Sequence, residues 1–222
     1  MFKRKYPLVV GGVYHVFSKS IAGFKIFNNN SEFSRMIATI RYYQKEKPSV
    51  KFSKFIKLNR VKEKNPDGTI LLSNNEKLLE VIAYCLMPTH LHLILKQLKE
   101  SGITIFMSNI LNSYTRYFNT KHNRKGPLWE SRFKNVLVET DEQLFHLTRY
   151  VHLNPVTAYL VNKPEEWLAS SYKEYVFKVV DNERICKYDD VLEVDPNSYR
   201  EFVQDMVSYQ RELATLKNLF FE

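Results

Sequence analysis

His90-Leu91-His92 is the stretch of the chain with the sharpest chemical content. In a strand, residues i and i+2 share a face, so both imidazoles project together while Leu91 packs on the other side. Two neighbouring imidazoles form a ready bidentate site for a divalent ion. Further along, Tyr150 and Asn154 lie one helical turn apart on one face. A tyrosine phenol becomes a nucleophile toward phosphorus once it is positioned and partly relieved of its proton. The Asn154 carbonyl could reach the ion held by the histidines, completing three protein ligands and leaving positions open for phosphate. Each residue also has a plainer reading. His-x-His arises by chance, and the chain has 14 tyrosines, most of which must simply pack. Tyr114 and Tyr117 compete as nucleophiles, but both belong to an apolar helical stripe that suits packing. His15, flanked on its strand face by Val13 and Phe17, reads as a core or edge histidine. His152, turned well away from Tyr150 around the helix, reads as a packing or surface residue.

These residues need elements to hold them. Residues 12–19 have strand composition, with Val13, His15 and Phe17 on one face and Tyr14, Val16 and Ser18 on the other. Ser31 can cap a helix whose apolar positions are Phe33, Met36, Ile37, Ile40 and Tyr43. Residues 45–78 are polar and Lys-rich around the turn Asn65-Pro66-Asp67-Gly68. They read as an inserted hairpin with Thr69-Ile70-Leu71-Leu72 as one arm. The apolar run 80–96, interrupted by Pro88, reads as two strands. A second helix follows from Ile103 to Phe118, ending before Gly126-Pro127. Val136-Leu137-Val138 is strand-like, and Thr140-x-x-Gln143 is a capping box opening a third helix that runs to Asn154-Pro155. Leu144, Leu147 and Val151 form its buried stripe. The tail holds a fourth helix from about Ser198, with an apolar face of Phe202, Val203, Met206, Leu213 and Leu216, and Phe220 and Phe221 beyond.

A chain of 222 residues can bury a core without disulfides or a structural metal. Cys85 and Cys186 lie far apart with no C-x-x-C spacing, which excludes a cysteine-built zinc module. No run approaches the ~18 apolar residues of a membrane span. The apolar stretch after Met1–Pro7 is too short for a secretory leader, so the expected compartment is the cytoplasm. Residues 1–180 carry 28 Lys and Arg against 14 Asp and Glu, whereas residues 181–222 carry 5 against 10. A basic body favours a polyanionic partner through phosphate neutralisation. The basic residues Lys121, Arg124, Lys125, Arg132 and Lys134 cluster around one turn, and Trp129 among them offers a base-stacking surface. They are the expected DNA-binding residues.

Three motifs in order carry a family resemblance: Tyr84–Leu95 around the two histidines, Gly126–Lys134, and Arg149–Val156. Together they resemble the single-tyrosine transposases with the HUH signature, and among these the REP-associated tyrosine transposases. The resemblance spans roughly residues 8–178. It implies an α+β fold, a ferredoxin-like antiparallel sheet with helices packed on one face. It also implies Tyr150 as the catalytic nucleophile and a divalent metal ion, Mg²⁺ or Mn²⁺, held by His90, His92 and Asn154. The implied activity is a metal-dependent single-stranded DNA endonuclease and strand transferase with a 5′-phosphotyrosine intermediate, acting on hairpin-containing DNA in association with the bacterial nucleoid. The expected organisation is a nuclease domain at 1–178, with a possible insertion at 45–78, and an acidic helical extension at 179–222. Relatives in this family include dimers joined sheet edge to sheet edge as well as monomers, and a homodimer is the expectation taken from that analogy. The alternative is a non-catalytic, domesticated DNA-binding protein that recognises hairpin or repeat DNA. Relatives usually have Asn where Thr89 stands, and the 45–78 stretch is longer than the family leads one to expect.

Overall fold

Alternation of side chains makes Val13–Lys19 the first strand, β1, buried at Tyr14, Val16 and Ser18 and half-covered on its other face. The chain is known from a computed structural model that describes residues 7–45, 50–62, 76–180 and 183–212, with backbone alone at 58–62. Helix α1 spans Asn30–Tyr43, and its N-cap is Asn29 rather than the expected Ser31. The Asn29 side chain accepts from the Glu32 amide at 3.2 Å, so the helix begins one turn-position earlier than its apolar stripe suggests.

The expected hairpin at 45–78 is corrected at its start. Phe52–Lys62 forms a helix, α2, with Phe52 and Phe55 at helical spacing against Tyr42 of α1. The arm Thr69–Leu72 lies outside the described residues. Strands β2 (Leu79–Met87) and β3 (His90–Gln97) are split at Pro88 as expected, and α3 spans Gly102–Lys121. Strand β4 is Lys134–Val138 and α4 is Asp141–Thr157, which continues past Pro155. The α4 start is capped as read: the Gln143 amide donates to Thr140 Oγ1 at 3.1 Å.

All strand pairs are antiparallel, in the order β2-β3-β1-β4. With connections β-α-β-β-α-β, this is the ferredoxin-like fold the resemblance implies. Helices α1 and α3 lie side by side over the fully buried Tyr14, Val16, Leu91, Leu93 and Leu95. The opposite sheet face is not bare. There α4 packs across β2, which is why every residue of β2 is buried. Short helix α5 (Tyr172–Val176) and helix α6 (Pro196–Gln204) follow. The described part of the acidic tail packs back on α4: Phe202 stacks on Phe145 at 4.3 Å, and the Arg149 guanidinium sits 4.0 Å over the Phe202 ring. Residues 169–171 and 186–187 bond along the outer edge of β2, so β4 is the open sheet edge among the described residues. No helix among the described residues is long and apolar enough to cross a membrane.

The start of α3 tolerates no side chain. A Cβ on Gly102 would lie 2.3 Å from the Leu78 carbonyl oxygen. Gly102→Ala is expected to cost about 2 kcal/mol by urea unfolding, and a loss under about 0.5 kcal/mol would refute that close approach.

Candidate active site

Strand β3 carries His90 and His92 on the sheet face away from α1 and α3. Directly opposed residues of antiparallel strands share a face. The register therefore sets His92 in one row with Cys85, Phe17 and Lys134, and His90 in a row with Met87 and Lys19. The two imidazole centroids are 5.0 Å apart.

Each imidazole is held from behind. His15 Nε2 and His92 Nδ1 share a hydrogen bond of 2.9 Å, and Thr89 Oγ1 lies 2.9 Å from His90 Nδ1. With Nδ1 engaged in both, Nε2 is the nitrogen each would present to an ion. Burial lowers His15 to about 4. Burial, helped by the charge of Lys19, lowers His90 to about 4. Burial with the neighbouring His15, His90 and Lys19 lowers His92 to about 2. All three are neutral at neutral pH, the form that ligates metal.

Tyr150 projects from α4 toward this pair. Its ring meets His92 edge-on at 5.8 Å and His15 at 6.1 Å, while the residue stays 42% exposed. Burial raises its phenol above the ordinary tyrosine range, and a hydrogen bond with Asn154 works the other way. Asn154 Nδ2 also donates to the Tyr150 backbone carbonyl at 2.8 Å, which leaves Oδ1 as the atom it would offer an ion. Among the described residues no group of three His, Cys, Asp or Glu could hold a metal. The expected donor set, two imidazoles and an amide oxygen, would be a mixed one that suits Mn²⁺ better than the all-oxygen preference of Mg²⁺.

Of the competing tyrosines, Tyr114 is fully buried and its hydroxyl donates to the Ile26 carbonyl at 2.6 Å. Tyr117 lies on the α1/α3 side, beside Arg35 and Lys121. His15 is more than the core or edge histidine its neighbours suggested, because its Nε2 engages Nδ1 of His92 once β1 pairs with β3. Thr89 and Lys19 were not singled out as site residues either. For Lys19 the signal was in view, since it continues the His15–Phe17 face of β1.

The expected DNA-binding cluster is divided by the fold. Lys121 pairs with the buried Glu32 at 2.7 Å. Burial works to raise the Glu32 carboxyl, but bonds from Lys121, the Asn28 amide and His122 outweigh it and hold the pKa at about 2. Arg124 braces its own loop, donating to the Pro127 carbonyl at 2.8 Å and to Asn119 Oδ1 at 3.0 Å. Trp129 is corrected as a stacking surface: it is 9% exposed, and its indole N–H reaches Thr115 Oγ1 at 3.1 Å. Lys125 and Arg132 are exposed. Lys134 is brought to the histidine face, where Phe17, Lys19 and Lys134 border one shallow depression.

His152 packs, as read, away from the site. It is fully buried between Tyr199 Oη at 2.7 Å and Ser171 Oγ at 2.8 Å. Burial lowers its pKa to about 3. Below the ordinary value near 6.5 the unfolded chain binds this proton first, so stability falls as pH drops from there toward 3. Between pH 7 and 5.5 this one group should remove about 1.2 kcal/mol from wild type, a loss absent from His152→Gln. Urea titrations at the two pH values measure it; equal losses in both proteins would contradict the assignment.

A ferredoxin-like sheet with paired histidines on a central strand, faced by a tyrosine from the helix after the fourth strand, is the arrangement that the resemblance to the HUH single-tyrosine transposases implies. The comparisons bear out that resemblance. Residues 58–154 match the family model of IS200-like transposases. A curated protein of Haemophilus influenzae, described as a REP-associated tyrosine transposase, is 28% identical over 104 residues, which are 42% of this chain and 58% of that protein. The match thus spans little more than half of the relative's length. The solved structure of a REP-associated tyrosine transposase bound to a REP hairpin superposes with a TM-score of 0.50 at 16% identity, over 88% of this chain and 93% of that one. That likeness shows the fold.

Proposed function

We propose that the chain is a metal-dependent single-stranded DNA endonuclease and strand transferase in which Tyr150 is the nucleophile. The observation that carries this reading is the half-exposed Tyr150 phenol in ring contact with His92 and His15 on the open sheet face. A divalent ion bound by His90, His92 and Asn154 would supply polarisation of a scissile phosphate and neutralisation of its developing charge. The residues do the rest. His15 and Thr89 fix the imidazoles, and Asn154 favours loss of the phenolic proton. Lys19 and Lys134 offer cations to the flanking phosphates. The Tyr150 oxygen bonds to phosphorus as the 3′ oxygen leaves, giving a 5′-phosphotyrosine and a free 3′-hydroxyl. The phosphodiester energy stays in the adduct, so rejoining needs no nucleotide cofactor.

The substrate in this reading is single-stranded DNA bearing a hairpin, as in the complex of the REP-associated relative. A homodimer joined sheet edge to sheet edge would use β4, since the β2 edge is occupied. One observation favours the non-catalytic alternative: burial raises the Tyr150 phenol above the ordinary tyrosine range and so opposes its ionisation. The deciding experiment incubates the chain with hairpin-bearing single-stranded DNA and Mn²⁺ and looks for a covalent protein–DNA band on a denaturing gel. A band supports the nuclease. Tight binding without a band supports the alternative.

A further inference from the structure

On the far side of the sheet from Tyr150, helices α1, α2 and α3 enclose a cavity of about 600 Å³. Among the described residues, four cations line it, Arg35, Lys51, Arg116 and Lys121, and no carboxylate does. Lys121 is paired with Glu32 beneath it at 2.7 Å. Aromatic rings complete the wall. The Arg35 guanidinium lies 4.4 Å from the centre of Phe52 and 5.0 Å from that of Tyr117, which fixes its plane. Lys51 and Arg116 stand exposed at the rim. The volume is in the range of pockets that take small ligands. Arg35, Lys51 and Phe52 all precede residue 58, where the match to the IS200-like model begins.

Cations that meet phosphates, beside rings that meet bases, are how proteins hold unpaired nucleic acid. We infer that this cavity is a second DNA subsite, which takes an unpaired nucleotide of the substrate strand. Its phosphate lies among Arg35, Lys51, Arg116 and Lys121, and its base lies against Phe52 and Tyr117. The inference rests on the DNA-processing reading above and adds a contact on the opposite face from the chemistry. A strand is favoured over a free nucleotide because the rim cations Lys51 and Arg116 extend the positive surface beyond the cavity, where neighbouring phosphates of the same strand would lie.

The test uses the full chain and a fluorescent, unstructured oligothymidylate, with affinity read by anisotropy across a salt series. The Lys51→Glu/Arg116→Glu variant, altered only at exposed positions, should lose about tenfold or more in affinity, with a salt slope shallower by about 1–2. In parallel, wild type is photo-cross-linked to an oligonucleotide carrying 5-iododeoxyuridine, and adducts are mapped by mass spectrometry. Adducts at Phe52, Tyr117 or Tyr43 support the subsite, whether or not the double variant folds. Unchanged affinity and slope in a folded variant, or adducts confined to the histidine face, overturn it. Thymidine monophosphate competing as well as the oligonucleotide would overturn the strand as the ligand. The Tyr150 adduct is scored separately on hairpin DNA. Its absence sinks the nuclease reading and leaves the oligothymidylate result to judge the cavity alone.

Discussion

Replacing Tyr150 by phenylalanine should abolish the covalent protein–DNA adduct, by at least about a thousandfold, while affinity for the same DNA stays within about twofold. The substitution removes the attacking oxygen and keeps the ring that rests edge-on against His92 and His15. Little else should move, because Tyr150 is among the more exposed large side chains of α4 and its loss of a hydroxyl strands no buried partner. The alternative nucleophiles are poorly placed. Tyr114 is sealed in the core with its hydroxyl committed to Ile26, and Tyr117 faces the cavity on the other side of the sheet. An undiminished adduct in Tyr150→Phe would end the assignment. Gel mobility under denaturing conditions reads the adduct, and anisotropy reads the affinity.

Emptying the proposed metal site should be comparably severe. His92→Ala removes one imidazole outright and leaves His15 Nε2 without its 2.9 Å partner. His90→Ala removes the other and frees Thr89. Either change, or EDTA added to wild type, is expected to lower cleavage of hairpin DNA by about a hundredfold or more, and Mn²⁺ should restore the EDTA-treated wild type but neither variant. His15→Ala offers a graded companion. It keeps both ligands and disturbs only the orientation of His92, so its deficit should shrink as Mn²⁺ concentration rises, by about ten- to a hundredfold overall. Cleavage that survives both histidine substitutions and EDTA would end the metal-dependent reading. A His15→Ala deficit that ignores Mn²⁺ would remove His15 from its positioning role.

Much of this site was legible in the chain before any fold was known. The two-residue spacing of His90 and His92 demands a common face in any strand, and the four-residue spacing of Tyr150 and Asn154 demands one face of any helix. Pro88 had to break the apolar run, because it cannot donate to a ladder. The Thr140–Gln143 cap set where α4 begins. Each of these follows from local backbone geometry, which a short stretch of sequence determines by itself.

What needed the tertiary structure is everything that depends on which elements become neighbours. His15 reaches His92 only because β1 pairs with β3 in a register that sets Phe17 opposite His92. Lys19 and Lys134, 115 residues apart in the chain, join the histidine face through the same ladders. The basic turn looked like one binding surface because its residues are adjacent in sequence. Packing distributes them: Lys121 answers a glutamate buried by α1, Arg124 ties its own loop, and Trp129 is taken up by the α3 backbone. The helix at 52–62 replaced an expected hairpin because Phe52 and Phe55 find Tyr42 to pack against, a partner that no reading of the segment alone supplies. Local spacing determined which atoms could do chemistry together. Burial and strand register, which are properties of the whole chain, decided which of them are held in place to do it.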